Sequence, residues 1–244
     1  MNTFAGKTYW LVGASEGLGR ALALALSREG ARLILSARSA ERLAGLAAAA
    51  GGARMLPFDV RDPAAVARAA AEAGAVDGVI YAVGRYEPMT AAAWDPDESA
   101  AIAEVNLVGA LRLLGHVVPA MVRRGSGHVV IIGSLAAHRG LPGAIGYGAS
   151  KAALLSLAET MRADLRGTGV RVQIANPGFI RTRLTAKNAF AMPQMMEPEE
   201  AAARVVALMR SGRFRADFPV PFAWLFLLGR VLPLALLHRV VGRG

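Results

Sequence analysis

The chain of 244 residues contains no cysteine, which excludes disulfide bonds and thiolate metal sites, and we expect no metal site. Lysine is also scarce: only Lys7, Lys151 and Lys187 occur, and arginine supplies most of a formal net charge of +10. The arginines are scattered and form no dense basic run, so we expect no nucleic-acid binding. A charged small-molecule ligand or an anionic membrane surface is a better explanation for the excess charge.

Residues 1–8 lack a long apolar stretch behind a basic start, so no signal peptide is predicted. The absence of cysteine fits a reducing compartment. We therefore expect a cytoplasmic protein, with a peripheral position on the inner face of a membrane as a variant of that expectation.

Apolar runs alternate with helical patterns along most of the chain, and 54% of the residues are hydrophobic. Strands that are apolar throughout, with helices between them, predict an α/β fold: a doubly wound, Rossmann-type parallel sheet flanked by helices on both faces. We predict one dinucleotide-binding and catalytic domain over residues 1–219, followed by a hydrophobic C-terminal segment, residues 220–244. The predicted strands are 9–13, 32–37, 54–58, 76–83, 129–133 and 170–175, and the predicted helices are 17–28, 40–50, 63–73, 97–123 and 147–166.

A glycine-rich turn follows the first predicted strand, with the spacing Gly-x-x-x-Gly-x-Gly. Glycines there let backbone amides approach a pyrophosphate, and the next helix directs its positive end at that group. The alternative is a tight strand-to-helix connection without a ligand. The cofactor-binding residues predicted in this turn are Gly13, Ser15, Glu16, Gly17, Leu18 and Gly19.

The second predicted strand ends at Ala37-Arg38 and carries no acidic residue there. An acid near this point binds the ribose hydroxyls of NAD, whereas an arginine suits the 2′-phosphate of NADP. Arg38 therefore predicts a preference for NADP, unless it is only a solvated residue. Asp59, followed by Val60, is a candidate acceptor for the adenine amino group, and its alternative is the N-cap of a helix near Pro63.

Tyr147 and Lys151 lie four residues apart in a helical pattern, so their side chains share a helix face. A nearby cation lowers the pKa of a phenol from about 10, which makes the pair a candidate proton-transfer device near neutral pH. An ordinary helix with a packed tyrosine and a surface lysine is the alternative for this spacing alone.

Several motifs in a fixed order resemble the short-chain dehydrogenase/reductase family, in its compact form of about 250 residues. They span roughly residues 6–219. Ser134 and Tyr147 are thirteen positions apart, as in that family. The motifs are the Gly13-Gly17-Gly19 turn, Asp59-Val60, Asn106 in Val-Asn-Leu-Val-Gly, Ser134 in Ile-Gly-Ser, Tyr147-Gly-Ala-Ser-Lys151 and Asn176-Pro-Gly-Phe-Ile-Arg-Thr182.

The resemblance implies roles for these residues. Tyr147 is similar to the family's catalytic acid/base, Lys151 to the residue that lowers its pKa and holds the nicotinamide ribose, and Ser134 to the group that binds the substrate oxygen. Asn106 resembles the helix residue that anchors a water in a proton relay to Lys151. The alternative for Ser134 is a strand-end cap, and the alternative for Asn106 is a side chain that satisfies backbone groups. The resemblance also implies that Pro177, Gly178, Ile180 and Thr182 border the nicotinamide.

The sequence departs from the family pattern in two places. Val12 replaces the usual threonine before the first glycine, and Tyr81-Ala82-Val83-Gly84 replaces Asn-Asn-Ala-Gly. The lost asparagines remove polar ties between central strands, whereas Gly84 still permits close approach to the adenosine ribose.

Residues 183–196, called the lid below, correspond to a flexible cover over the substrate in the family. Phe190, Met192, Met195 and Met196 offer adaptable apolar surface, which favours a hydrophobic carbonyl compound or alcohol. The alternative is that they pack on the domain or on a partner subunit.

The C-terminal segment is strongly apolar but interrupted by Pro221, Gly229, Arg230 and Pro233, which argues against a simple spanning helix. Trp224 and the basic residues near the end suit a segment lying in a membrane interface. A subunit contact is the alternative, since the resemblance implies a homodimer or homotetramer.

These observations predict an NADP-dependent oxidoreductase that interconverts a carbonyl and a secondary alcohol on a hydrophobic substrate. The competing class is a nucleotide-sensing or scaffolding protein of the same fold without turnover. The set Asn106, Ser134, Tyr147 and Lys151 argues against it, because a sensor has no need of a proton relay.

Overall fold

The computed structural model describes residues 4–229 together with positions 233 and 235. Its centre is a seven-stranded parallel sheet in the order β3-β2-β1-β4-β5-β6-β7. The strands are β1 Thr8–Val12, β2 Arg32–Ser36, β3 Arg54–Met55, β4 Gly78–Tyr81, β5 Gly127–Ile132, β6 Val170–Pro177 and β7 Arg215–Phe218. Strand β7 was not predicted from the sequence, and β3 is shorter than predicted.

Eight helices surround the sheet within the described residues. They are α1 Gly17–Arg28, α2 Ala40–Ala49, α3 Pro63–Ala73, α4 Pro96–Ala103, α5 Gly109–Arg124, α6 Tyr147–Asp164, α7 Pro198–Arg210 and α8 Phe222–Gly229. The N-cap of α3 is Asp62, whose side chain accepts from the amides of Ala64 and Ala65 at 2.9 and 3.0 Å. The alternative that Asp59 caps this helix is therefore wrong.

Two apolar cores lie on opposite faces of the sheet. One contains Leu22 of α1, Leu43 of α2 and Val205 of α7. The other contains Leu113 of α5 and Leu154 of α6, together with residues of α3. Helices thus cover both faces, which confirms the predicted doubly wound, Rossmann-type architecture.

The predicted helix 97–123 is confirmed as one continuous helical stretch, Pro96–Arg124, within which a π-helical turn, Glu104–Val108, separates α4 from α5. The buried hydroxyl of Tyr81 donates to the carbonyl of Val105 within this turn at 2.6 Å. A Cβ on Gly109 would come within 2.6 Å of that hydroxyl oxygen, so the turn fits closely around the Tyr81 ring. Turns of this kind occur often at functional sites.

One helical stretch of the described residues, Pro96–Arg124, is long and apolar enough to cross a membrane by length and composition. It is the α4–α5 unit, and Leu113, Val117 and Met121 on it pack into the second core. Its apolar face is therefore explained by packing on the sheet.

Helix α8 begins the predicted C-terminal segment and packs on the domain. Ala223 and Phe226 are buried against Leu135, which belongs to a short 3₁₀ turn after β5. The backbone carbonyl of Gly229 accepts from the Arg139 side chain at 2.7 Å. The predicted interfacial residues Arg230, His238, Arg239 and Arg243 lie outside the described residues.

Candidate active site

A cleft of about 470 Å³ opens at the carboxyl ends of the strands, where the strand order reverses between β1 and β4. Ligands of doubly wound sheets bind at this point. The predicted cofactor residues other than Asn106 line the cleft: Gly13, Ser15, Glu16, Gly17, Leu18, Gly19, Arg38, Asp59, Val60, Gly84, Tyr147, Lys151, Pro177, Gly178, Ile180 and Thr182. Asn106 and Ser134 are buried behind this lining.

The glycine-rich turn is packed so closely that two of its glycines cannot be replaced by a residue with a side chain. Gly13 has φ +93°, and a Cβ there would lie 2.7 Å from the backbone of Ala82. A Cβ on Gly19 would overlap the carbonyl oxygen of Gly13. The turn thus presents bare backbone beside the N-terminus of α1, which fits a pyrophosphate.

The adenosine end of the cleft holds Arg38 and Asp59. Arg38 is exposed after β2, and its guanidinium contributes to keeping the pKa of Asp59 low. The main cause of that low pKa is Arg61, whose side chain donates to the Asp59 carboxylate at 2.6–3.1 Å. Asp59 therefore stays ionised and is partly engaged by its own neighbour.

The departure from the family pattern at β4 has a structural compensation. The missing asparagine side chains are replaced by Tyr81, whose hydroxyl ties β4 to the π-helical turn through Val105. Val12 is buried in the core next to it. A Cβ on Gly84 would meet only a side-chain atom of Leu184, at 3.6 Å, so this part of the wall stays open.

Tyr147 and Lys151 lie in the first turns of α6, on one face of the helix. Lys151 is 3% exposed, and its Nζ donates to the carbonyl of Ile132 at 2.9 Å. The same Nζ is 5.7 Å from the centre of the Tyr147 ring. The side chain of Ser134 forms a hydrogen bond with Tyr147. These three side chains therefore meet at the inner end of the cleft.

The predicted lowering of the Tyr147 pKa is wrong for this structure. Burial raises the pKa of Tyr147, and the hydrogen bond with Ser134 offsets this only in part. Burial also lowers the pKa of Lys151 to about 8. Both shifts have one cause, since burial disfavours the phenolate and the ammonium alike, and Lys151 directs its proton to a backbone carbonyl. Tyr147 consequently holds its proton at neutral pH.

Ser134 and Asn106 also have the structural roles considered from the sequence. The Ser134 hydroxyl accepts from the amide of Ala136 at 3.1 Å and caps the 3₁₀ turn. The Asn106 side chain accepts from the Arg85 amide at 2.7 Å and donates to the Arg85 carbonyl at 3.0 Å. It also donates to the Ser150 hydroxyl at 2.9 Å. Its role in a water relay to Lys151 stays a prediction.

Several cleft residues were missed from the sequence because no motif contains them. Tyr86 packs on Tyr147 with ring centroids 4.9 Å apart. Arg183 forms an ion pair with Glu16 across the cleft mouth at 2.5 Å. Two further pairs, Lys187 with Glu87 and Arg85 with Glu98, join other parts of the rim. The partners in these ion pairs are 13, 100 and 167 positions apart, and no sequence pattern indicates such pairs.

The apolar residues of the lid divide between two environments. Met196 is 2% exposed and belongs to the first core, so for this residue packing on the domain is observed. Phe190 is exposed and lies edge-on to Phe179, with centroids 5.9 Å apart. Phe179 also contacts Phe222 of α8 at 5.6 Å. An aromatic wall therefore runs from the lid to α8.

The chain is similar to several known proteins. A family model described as short chain dehydrogenase matches residues 7–192. An uncharacterized oxidoreductase of Myxococcus xanthus is 40% identical over 226 residues, which cover 89% of this chain and 88% of that protein. The ketoacyl reductase HetN of Nostoc sp. is 34% identical, over 86% of this chain and 78% of that protein.

A solved short chain dehydrogenase from Burkholderia cenocepacia, in complex with NADP, has the same fold. Its TM-score is 0.86 at 29% identity, and the match covers 98% of this chain and 99% of that chain. Fold and cleft thus define the class, a nicotinamide-nucleotide-dependent oxidoreductase. The chain belongs to the short-chain dehydrogenase/reductase family.

Proposed function

We propose that the protein is an NADP-dependent oxidoreductase that interconverts a carbonyl and a secondary alcohol on a hydrophobic substrate. The observation that carries the proposal is the meeting of Ser134, Tyr147 and Lys151 at the inner end of the cleft. A phenol that keeps its proton beside a hydroxyl group is suited to protonate a carbonyl oxygen.

A nicotinamide coenzyme held in the cleft would supply the hydride for reduction of the carbonyl carbon. Tyr147 donates its phenolic proton to the carbonyl oxygen, and the Ser134 hydroxyl stabilises negative charge developing on that oxygen. Lys151 is placed to stabilise the phenolate that remains, since its Nζ lies on the same helix face. In the reverse direction the phenolate accepts the alcohol proton.

Arg38 supports NADP as the preferred coenzyme. It is exposed at the end of β2 and lines the cleft, and no carboxylate within residues 4–229 forms an ion pair with it. Its charge is therefore available to a 2′-phosphate. The NADP complex of the Burkholderia protein is consistent with this choice.

The aromatic wall of Phe179, Phe190 and Phe222 supports a hydrophobic, lipid-like substrate. It lies beside Gly178, where a Cβ would be 3.3 Å from the Phe222 ring. Gly178 itself lines the cleft, so an apolar chain held along this wall would begin at the reacting end. The name of the Nostoc relative, a ketoacyl reductase, agrees with that substrate class.

The C-terminal segment supports peripheral contact of a cytoplasmic enzyme with a membrane surface. Trp224 and Leu228 are one turn apart on α8 and are 58% and 62% exposed. The competing explanation is a contact in a homodimer or homotetramer. Either occupant would cover the same face of α8.

The test is NADPH oxidation with ketones and aldehydes of increasing chain length, with NADH in parallel. We expect turnover that rises with chain length and prefers NADPH. Tyr147→Phe should lower kcat by about 10²- to 10⁴-fold, because it removes the proton donor, while NADPH binding persists. Turnover that survives Tyr147→Phe would contradict the assigned acid. Tight NADPH binding without turnover in either direction would favour a nucleotide sensor.

A further inference from the structure

Tyr86 contacts both Tyr147 and the lid, although it belongs to none of the sequence motifs. It stands two residues after Gly84 and lines the cleft. Its ring meets the ring of Tyr147 edge-on, with centroids 4.9 Å apart and an interplanar angle of 71°. This is a favourable aromatic geometry, and it restricts the orientation of the Tyr147 side chain.

The polar end of Tyr86 belongs to the lid. Its hydroxyl donates to Oδ1 of Asn188 at 2.7 Å. Lys187 donates to the backbone carbonyl of Tyr86 at 3.1 Å and forms an ion pair with Glu87. The lid is thus attached to the Tyr86 segment at two neighbouring residues.

The base of this segment is fixed independently of the lid. Asn106 holds both backbone groups of Arg85, and it also donates to Ser150. The Ser150 hydroxyl in turn donates to the backbone carbonyl of Tyr147 at 2.8 Å. The side chain of Arg85 is bound by Glu98. Both tyrosines therefore stand on one polar framework, and the hydrogen bond from Tyr86 to Asn188 joins this framework to the lid.

We propose that Tyr86 is a positioning residue that couples closure of the lid to the orientation of Tyr147. The ring and the hydroxyl have separate tasks: the ring holds the catalytic phenol, and the hydroxyl secures Asn188 of the lid. The catalytic half of this inference rests on the proposed function, whereas the lid half does not.

The lid half is tested by limited trypsin digestion after Lys187, without substrate. Tyr86→Phe should speed cleavage by about three- to ten-fold, because it removes the hydrogen bond to Asn188. Asn188→Ala removes this bond and also the contact of Asn188 with Met192, so it should speed cleavage at least as much. The double variant should be cleaved no faster than Asn188→Ala. Asn188→Asp, which keeps the acceptor oxygen, should be more protected than Asn188→Ala. Each rate is compared with that of a free peptide of the same lid sequence, because residue 188 follows the cleaved bond. Glu200→Gln is the control, since it breaks only the exposed pair with Arg204 on α7.

The catalytic half is tested by comparing a variant that keeps the ring of residue 86 with one that removes it. Tyr86→Phe should raise KM and change kcat less than about two-fold, because the stack persists. Tyr86→Ala should lower kcat about ten-fold or more through misplacement of the phenol, with NADPH affinity unchanged. It should also move the alkaline limb of the reduction profile to lower pH, since loss of the Tyr86 ring exposes Tyr147 further to water.

Each half has an outcome that overturns it. If Tyr86→Phe is cleaved after Lys187 as slowly as the native protein, the proposed link between Tyr86 and the lid is wrong. A native kcat in Tyr86→Ala, or an equal loss in Tyr86→Phe, would remove the link to Tyr147. If neither carbonyls nor alcohols are turned over, the proposed function fails. Phenolate absorbance then decides the second half, because Tyr86→Ala should titrate a phenol at lower pH than Tyr86→Phe does.

Discussion

At the scale of single residues, burial favours the neutral form of three side chains at two ends of the sheet. It raises the pKa of Tyr147 and lowers the pKa of Lys151 to about 8 in the cleft. It lowers the pKa of His128 to about 3 at the start of β5. A buried lysine with one carbonyl partner destabilises the fold, so a functional reason for keeping it is expected. Its presence is thus an argument for catalysis that is independent of the motifs.

His128 has both ring nitrogens engaged in the neutral state. Its Nδ1 accepts from the Tyr9 hydroxyl at 2.9 Å and from Arg171 at 3.0 Å. Its Nε2 donates to Oε1 of Gln173 at 2.7 Å. A proton on Nδ1 would break the bond from Arg171 and face its charge, and it would force the Tyr9 hydroxyl to change from donor to acceptor. The folded protein therefore resists protonation at a pH where the unfolded chain accepts it.

This resistance predicts acid lability that depends on His128. Between pH 6.5 and 4.5 the unfolded chain binds one more proton here than the folded chain, so the free energy of unfolding falls by roughly 2–3 kcal/mol from this residue. His128→Gln keeps an acceptor and a donor but does not titrate. Urea unfolding across this range should show a smaller loss of stability in the variant. Equal pH slopes in the two proteins would contradict the prediction.

Arg38 is the second residue whose role is decided by one substitution. Arg38→Ala should weaken NADPH binding by about 10- to 100-fold, because a charge-assisted contact to the 2′-phosphate is lost, and leave NADH binding nearly unchanged. Arg32→Ala is the control, since it removes the same charge at the other end of β2. Titration of intrinsic fluorescence measures both affinities. Equal weakening of NADPH and NADH would refute the assignment.

At the scale of elements, helices with clear limits were predictable. Helices α1 and α3 have the predicted bounds, because a glycine turn begins one and Asp62-Pro63 begins the other. Strand β7 escaped prediction because it has four residues, two of them charged, at the edge of the sheet. The π-helical turn escaped because Tyr81, from another element, shapes it.

The candidate site likewise contains residues that could be predicted from the sequence and residues that could not. Residues that follow parallel strands come together at one edge of the sheet whatever the loops do, so Gly13, Arg38 and Ser134 could be placed from sequence. Tyr86 and Asn188 could not, because they are 102 positions apart in two loops and meet only through the folded lid. The direction of the Tyr147 pKa also required the structure, since burial raises this pKa and the hydrogen bond with Ser134 offsets the rise only in part.

At the scale of the whole molecule, the protein combines a formal net charge of +10 with an apolar helix, α8, that exposes one of its faces. Ala223 and Phe226 of α8 face the domain, whereas Trp224 and Leu228 face outward. Deleting the chain after Pro219 would remove both faces at once. It would also strip Phe222 from the aromatic wall, so loss of activity in such a truncation would say little about membranes.

Substitution of the outer face alone separates the explanations. Trp224→Gln with Leu228→Gln should abolish co-sedimentation with anionic vesicles, because it removes the apolar anchor and leaves the charge unchanged. The mass in light scattering and the NADPH affinity should stay native. Trp94→Gln is the control, since Trp94 is 57% exposed on a different element. A native protein that stays in the supernatant, together with a double variant of lower mass, would assign this face to a subunit contact instead.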